Sequence, residues 1–386
     1  MRLTTHSLLL LSTLSVHSSV NAHSVGDIEQ QQQPLVLHND NDPVPPYRTP
    51  LLSLHRALVD IPSTSGAEGP VAHTLHKLLT SLNFTATLQE VPPAPDAPST
   101  TPPRYNVLAW SGRNPAPPSS SNLVLLTSHI DTVPPHIPYA LNHTPIPPSQ
   151  PLNYTTLPRT TLLSGRGTVD AKASVAAQIT AASLLSEHET SNLLLLYVVS
   201  EENSGAGMTH FSSSDHNTPG KFKAAIFGEP TENRLACGHK GVVGALISAS
   251  GRAGHSGYPW LGKSATAVLV RALGRLLDAD LGGSERYGAT TVNVGVMEGG
   301  VAANVIAKSA TARVAVRVAV GDQATGGEIV AEGIRRAVVE EGGEDAGDLE
   351  VEVLGEAIGP VECDCDVEGE YSFDGEGVVV LKLMIW

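Results

Sequence analysis

Residues 123–131, LVLLTSHID, pass from an uninterrupted apolar run straight into a histidine and an aspartate, His129 and Asp131. Two other runs end in the same way: LLLLYVVS (193–200) meets Glu201 and Glu202, and AAIFG (224–228) meets Glu229. A fourth acid, Asp170, sits in GRGTVDAK (165–172), just ahead of an Ala-rich helical stretch. Short apolar runs bounded by turns read as buried parallel strands. Open α/β sheets carry their ligands at the carboxyl ends of such strands. One histidine and several carboxylates meeting at that edge have the composition of a zinc site.

Working outward, the spacing predicts a helix from Pro50 to Val59, a Pro/Ser/Gly turn, and a second amphipathic helix from Glu68 with Val71, Leu75, Leu78, Leu79 and Leu82 on one face. YNVLAW (105–110) reads as a strand, Val133–Pro158 as a long Pro-rich insertion, and Lys172 to about Glu187 as a helix. Sequential βα units imply a mostly parallel sheet covered on both faces, an α/β domain over 49–236. From 237 to 355 the pattern becomes strand, helix, two strands of period-two alternation, helix and strand. That βαββαβ order is the ferredoxin-like α+β plan, inserted into the first domain. Residues 356–386 are left as a short return.

The residue types suggest hydrolysis. Two metal ions a few ångströms apart need a bridging carboxylate and terminal ligands for each. Asp170 is the natural bridge, because Gly165 and Gly167 permit a tight turn that aims it inward. His129 binds through a neutral imidazole, and Asp131, two residues on, orients that ring. Glu201 and Glu202 would point to opposite sides of an extended segment, so Glu201 is taken as general base and Glu202 as ligand. Glu229 completes the other shell.

At 386 residues and a net charge of −15, the chain has room for two domains and lacks the basic stripe of a nucleic-acid binder. Residues 1–22 read as a secretory signal: Arg2, an apolar stretch from Leu8, and Val20-Asn21-Ala22 for cleavage. That stretch is too short to span a membrane. The expectation is a secreted, extracellular protein, with glycosylation sequons at Asn83, Asn142 and Asn153 and a polar leader, a potential propeptide, at 23–48. Cys237, Cys363 and Cys365 read as free thiols.

SHIDTVP, GRGTVDAK, SEENSGAGM and GEPTENR, in this order, resemble the M20 zinc metallopeptidases, and the signal segment and GPVECDCDVEG look most like the secreted fungal carboxypeptidases of that family. The resemblance covers roughly residues 50–355. It implies two Zn2+ per subunit, with His129, Asp170 and Glu229 on one and Asp170 and Glu202 on the other. Glu201 would be the base, acting on a water activated at the metal, and Asp131 the support of His129. The inserted domain corresponds to the family's lid and dimerisation domain, which implies a homodimer. In GRAGHSGYP, His255 matches the histidine that polarises the scissile carbonyl. In NVIAKSATARVAVR, Asn304 and Arg317 match residues gripping the substrate carboxylate. Arg suits that task because its planar fork binds a carboxylate with two hydrogen bonds.

The implied activity is a secreted metallocarboxypeptidase acting at the C-terminal end of peptides. The alternatives are an aminoacylase or other N-acyl amino-acid hydrolase, and an inactive member serving only in binding. The last is motivated by one departure. The family completes its second zinc site with a histidine late in the catalytic domain, and no histidine follows His255 here. The tail EYSFDGEGVVVLKLMIW does not read as the strands and helix that should close the sheet. The expectation is a truncated or mis-spliced gene model, with weak or no activity in this chain.

Overall fold

The computed structural model describes residues 44–93, 102–112, 118, 123–217, 221–231, 236 and 238–362. The expected signal segment, all three cysteines and most of the expected return at 356–386 lie outside the described residues. The chain divides into two compact units after Ala236.

In the first unit, three strands form the expected apolar runs: β3 (Leu123–His129), β4 (Leu193–Val198) and β5 (Phe222–Phe227). Two more, β1 (Phe84–Val91) and β2 (Arg104–Ser111), complete a sheet of order β1-β2-β4-β3-β5 among the described residues. The pairings of β3 with β4 and β5 are parallel, whereas β1–β2 and β2–β4 are antiparallel. The sheet is therefore mixed, and its parallel half is the half that ends in His129 and the glutamates. FTATLQEV in β1 places Phe, Ala and Leu opposite Thr, Thr and Gln. This period-two signal of a half-covered strand is absent from the expectations above.

Side-chain alternation along β4 explains how both faces are covered. Leu193, Leu195 and Tyr197 pack with Leu58, Val71, Leu75 and Leu79 of α1 (Arg48–Val59) and α2 (Gly69–Ser81), and with Ile179 of α3 (Lys172–Leu184). Leu194, Leu196 and Val198 face the other way, onto Leu108, Trp110 and Phe211, the last from α4 (Ala206–Ser212). Each fully buried leucine of these layers stabilises the fold by about 2 kcal/mol relative to exposure. On α2 the inward face is Val71, Leu75 and Leu79, while Leu82 lies past the helix end and is exposed.

Several boundaries move for local reasons. Helix α3 stops at Leu184, because Ser186 and Glu189 form a capping box that starts a separate turn, Glu187–Thr190. The Pro-rich insertion carries two-residue strands at Ala140 and Thr144, the first of which also pairs with Leu163–Ser164 just beyond it, and Tyr139, Tyr154 and Leu163 pack on Leu52 and Val59 of α1. Tyr47 and Arg48, assigned above to the leader, belong to the fold: Tyr47 is buried against Ala181, and the Arg48 guanidinium donates to the Leu157 carbonyl at 2.5 Å.

The second unit is a four-stranded antiparallel sheet of order β8-β10-β6-β11, with β6 Gly241–Ser250, β8 Thr291–Gly299, β10 Ser309–Val318 and β11 Leu349–Ile358. Helices α5 (Ala265–Asp278) and α6 (Gly326–Val338) complete the βαββαβ order. Alternate residues Val243, Ala245 and Ile247 of β6 and Val314 and Val316 of β10 meet Leu269, Leu273 and Ile334 in its core. A boundary at 355 is too early. Strand β11 runs on to Ile358, and Val361–Glu362 pairs back with Gly238–His239, which keeps the chain in this unit. No helix among the described residues is long and apolar enough to cross a membrane.

Candidate metal centre

Strand register brings the acids together. Thr127 pairs with Phe227 and His129 with Val198, so Glu229 leaves β5 level with His129, and the Glu201–Glu202 pair follows just beyond β4. His129 is buried, with Nε2 2.9 Å from Asp170 Oδ1, 3.9 Å from Glu229 Oε2 and 4.0 Å from Glu201 Oε2. One ligand atom each from His129, Asp170 and Glu229 lies within 4.8 Å of the other two. These are the three residues expected on one ion. Among the described residues, Glu202 is not part of this triplet.

The ring of His129 is oriented from behind. Its Nδ1 lies 3.0 Å from the backbone carbonyl of Asp131, which can only accept, so Nδ1 carries the proton and Nε2 faces the acids. The Asp131 carboxylate adds a second contact at 3.4 Å. It also does something that spacing alone did not suggest. Its Oδ1 accepts the Glu201 N–H at 3.0 Å, and its Oδ2 accepts the Glu202 N–H at 3.1 Å and the Ser65 hydroxyl at 2.7 Å. Burial alone would raise the Asp131 pKa, but His129, Ser65 and the Glu201 amide outweigh it and hold the group ionised.

These bonds correct the expected geometry of the Glu pair. Glu201 and Glu202 do not continue an extended segment; Ser200 takes φ +60° and residues 201–204 form a turn. The backbone turns at this pair, so strand alternation does not set the directions of the two side chains. Glu202 is shifted up by burial and then by the charge of Asp170, the carboxylate with which it was expected to share an ion.

Asp170 is presented by the glycine turn. Gly165 and Gly167 have φ +143° and +85°, and a Cβ on Gly167 would lie 2.9 Å from Thr132 Cγ2 and 3.1 Å from Lys172 Cδ. Only glycine fits there. Lys172, expected merely to begin a helix, is fully buried and donates from Nζ to the carbonyls of Leu58 and Ile61, both at 2.9 Å. Burial, opposed by Asp131, pushes its ammonium down to about 7. It ties the Asp170 loop to the carbonyl end of α1, where a cation is favoured. A lysine opening an otherwise apolar helix was the available signal.

The donor set fits a divalent cation. Burial, opposed by His129 and reinforced by Glu201, Asp170 and Glu202, pushes Glu229 up to about 8. Its carboxylate still touches solvent, yet the surrounding protein displaces much of its hydration. His129 would be pushed down by burial, but Asp131 and Asp170 reverse this and raise it to about 11. One imidazole cannot balance this many carboxylates, and a bound cation would.

The remaining expected residues lie in the second unit. His255 is exposed in a two-residue strand, β7 (Gly254–His255), paired with β9 (Val305–Ile306); its Nδ1 accepts the Gly257 N–H at 3.0 Å. Asn304 sits beside it, its carbonyl accepting the Ser256 N–H at 3.0 Å. Arg317 lies on the exposed face of β10, opposite Val242 of β6 and Thr291 of β8. The sequons Asn83, Asn142 and Asn153 are all exposed, and Asn153 Oδ1 accepts from the Thr155 hydroxyl at 2.6 Å.

Comparison with known proteins places this arrangement. Residues 237–340 match the family model of a peptidase dimerisation domain. An M20 domain-containing peptidase of Sordaria macrospora is 47% identical over 353 residues, spanning 86% of this chain and 74% of the relative. A probable carboxypeptidase of Arthroderma otae is 44% identical, over 83% of this chain and 72% of its own. An M20 metallo-carboxypeptidase from Sulfolobus solfataricus shares the fold, with a TM-score of 0.55 at 16% identity, covering 82% and 80% of the two chains. With that identity across most of both sequences, and with His129, Asp170 and Glu229 gathered at one sheet edge, the chain belongs to the M20 family of metallopeptidases.

Proposed function

We propose that this chain is a secreted, zinc-dependent carboxypeptidase, removing residues from the C-terminal end of peptides. The observation that carries the reading is the clustering of His129, Asp170 and Glu229 within 4.8 Å, with the Glu201 carboxylate 4.0 Å from the same imidazole nitrogen. A triplet of ligands and an adjacent carboxylate outside it supply both parts of a hydrolytic centre. Fungal relatives that are named probable carboxypeptidases support this class.

His129, Asp170 and Glu229 would hold one zinc ion, and Asp170 and Glu202 would contribute to a second. Zinc bound there supplies Lewis-acid polarisation of the scissile carbonyl and acidifies water. Glu201 takes the proton of the attacking water and returns it to the leaving amine. Asp131 holds the His129 tautomer and fixes the turn bearing the glutamates. His255 is assigned to the developing oxyanion, and Asn304 and Arg317 to the substrate carboxylate, where a bidentate guanidinium would select a free C-terminus. The dimerisation-domain match supports assembly as a homodimer. The exposed sequons support secretion.

The test is hydrolysis by the purified chain of N-blocked dipeptides and of N-acetyl amino acids, before and after chelation and with zinc restored. Slow, zinc-dependent release of the C-terminal residue from blocked dipeptides is expected. Cleavage of N-acetyl amino acids alone would replace this reading with an aminoacylase, and metal-free protein without hydrolysis would replace it with a binding protein.

A further inference from the structure

The orientation of Glu201 and Glu202 depends on the residue before them. Ser200 is fully buried and adopts a left-handed backbone, φ +60°, which disfavours any residue with a Cβ. The chain turns back on it: Ser204 and Gly205 donate their N–H groups to the Ser200 carbonyl at 3.2 and 2.7 Å. Glycine would adopt this backbone without strain, so a serine here calls for a reason in its side chain.

The hydroxyl supplies one. Arg104 of β2 donates from Nη1 to Ser200 Oγ, and Oγ donates to Glu68 Oε1 at 3.1 Å. The same Glu68 oxygen accepts the Ser200 N–H at 3.2 Å. Glu68, just before α2, is fully buried, and Arg104 is nearly so. Two buried charges of opposite sign thus meet through one hydroxyl, at the residue whose backbone sets the turn. Arg104 also donates from Nη2 to the Pro92 carbonyl at 3.0 Å, whereas Glu68 Oε2 and Arg104 Nε have no hydrogen-bond partner, so the pairing of these buried groups depends on the links through Ser200.

We propose that Glu68 and Arg104 are positioning residues for the hydrolytic centre. The chain Glu68–Ser200–Arg104 clamps the left-handed turn, while Asp131 holds the next two amides, and together they aim Glu201 and Glu202. The catalytic consequence rests on the reading of Glu201 as base; the clamping of the turn does not.

The test compares Ser200→Ala, Ser200→Gly and Glu68→Gln in the full chain. Alanine removes the link and keeps the strain. Glycine removes both, and glutamine keeps the acceptor oxygen. Read out are hydrogen exchange of the segment 200–205, zinc content, thermal midpoint, kcat and KM. Ser200→Ala is expected to exchange about tenfold faster and to lose about tenfold or more in kcat, with KM within about threefold. Ser200→Gly and Glu68→Gln are expected to return both values to within about threefold of the unsubstituted chain. Unchanged exchange in Ser200→Ala, or equal impairment of Ser200→Ala and Ser200→Gly, would overturn the clamp. If Glu201→Gln still hydrolyses peptides, the assignment of the base fails instead, and the exchange contrast still decides the clamp.

Discussion

His129 and Asp170 meet at 2.9 Å, ring Nε2 to carboxylate Oδ1, although they stand 41 positions apart at the two ends of the connection from β3 to α3. The other ring nitrogen is committed to the Asp131 carbonyl. The imidazole therefore presents one defined nitrogen to the acids, as a metal ligand must.

Glu201→Gln should abolish proton transfer while sparing the ligand triplet, since Glu201 lies outside it. The expected loss in kcat is about 10²- to 10⁴-fold, with zinc content unchanged by elemental analysis. Retained turnover would remove Glu201 from the mechanism.

Zinc should compete with protons for this site. His129 is raised to about 11 and Glu229 to about 8, so the cation-free centre holds protons at neutral pH that a metal must displace. Apparent affinity should rise as pH increases from about 6 to about 8. Calorimetry in buffers of different ionisation enthalpy should show proton release on binding. A pH-independent affinity with no release would contradict the crowded site described here.

His55 should make the first unit acid-sensitive. It is fully enclosed, with Nε2 3.1 Å from the Thr168 carbonyl, and burial lowers its pKa to about 4. The unfolded chain takes up this proton near pH ~6.5 and the folded chain only near 4. The contribution is thus complete above pH ~6.5 and is lost as pH falls through that window, by at most about 3 kcal/mol. Urea titrations at pH 7, 5.5 and 4.5 should show a steeper decline for the unsubstituted chain than for His55→Phe. Equal slopes would place the proton uptake elsewhere.

Gly167→Ala should be disproportionately damaging for one methyl group. The added Cβ meets Thr132 Cγ2 at 2.9 Å on a backbone of φ +85°. A cost of about 2 kcal/mol is expected, with weakened zinc binding, because Asp170 is displaced with the turn. The same substitution at Gly274, whose Cβ would meet nothing within 4 Å in the middle of α5, should be neutral or stabilising. Similar melting temperatures for the two variants would refute the steric argument.

Sequence alone determined the strand ends and the identity of the acids. Leu123–His129 and Leu193–Val198 are apolar on both faces, so periodicity and length mark them as buried strands, and the polar residues that follow must sit at the sheet edge. It also determined the βαββαβ order of the second unit, whose strands alternate cleanly because only one face of that sheet is covered by helices. What it could not determine were relations between residues far apart in the chain. The Asp131 carboxylate holds amides 70 and 71 positions away, and Lys172 holds carbonyls more than 100 positions earlier. The local pattern at SEEN gives no sign of a left-handed serine. That conformation is stable only where Glu68, Arg104 and Asp131 converge on the turn, and tertiary packing alone brings them there.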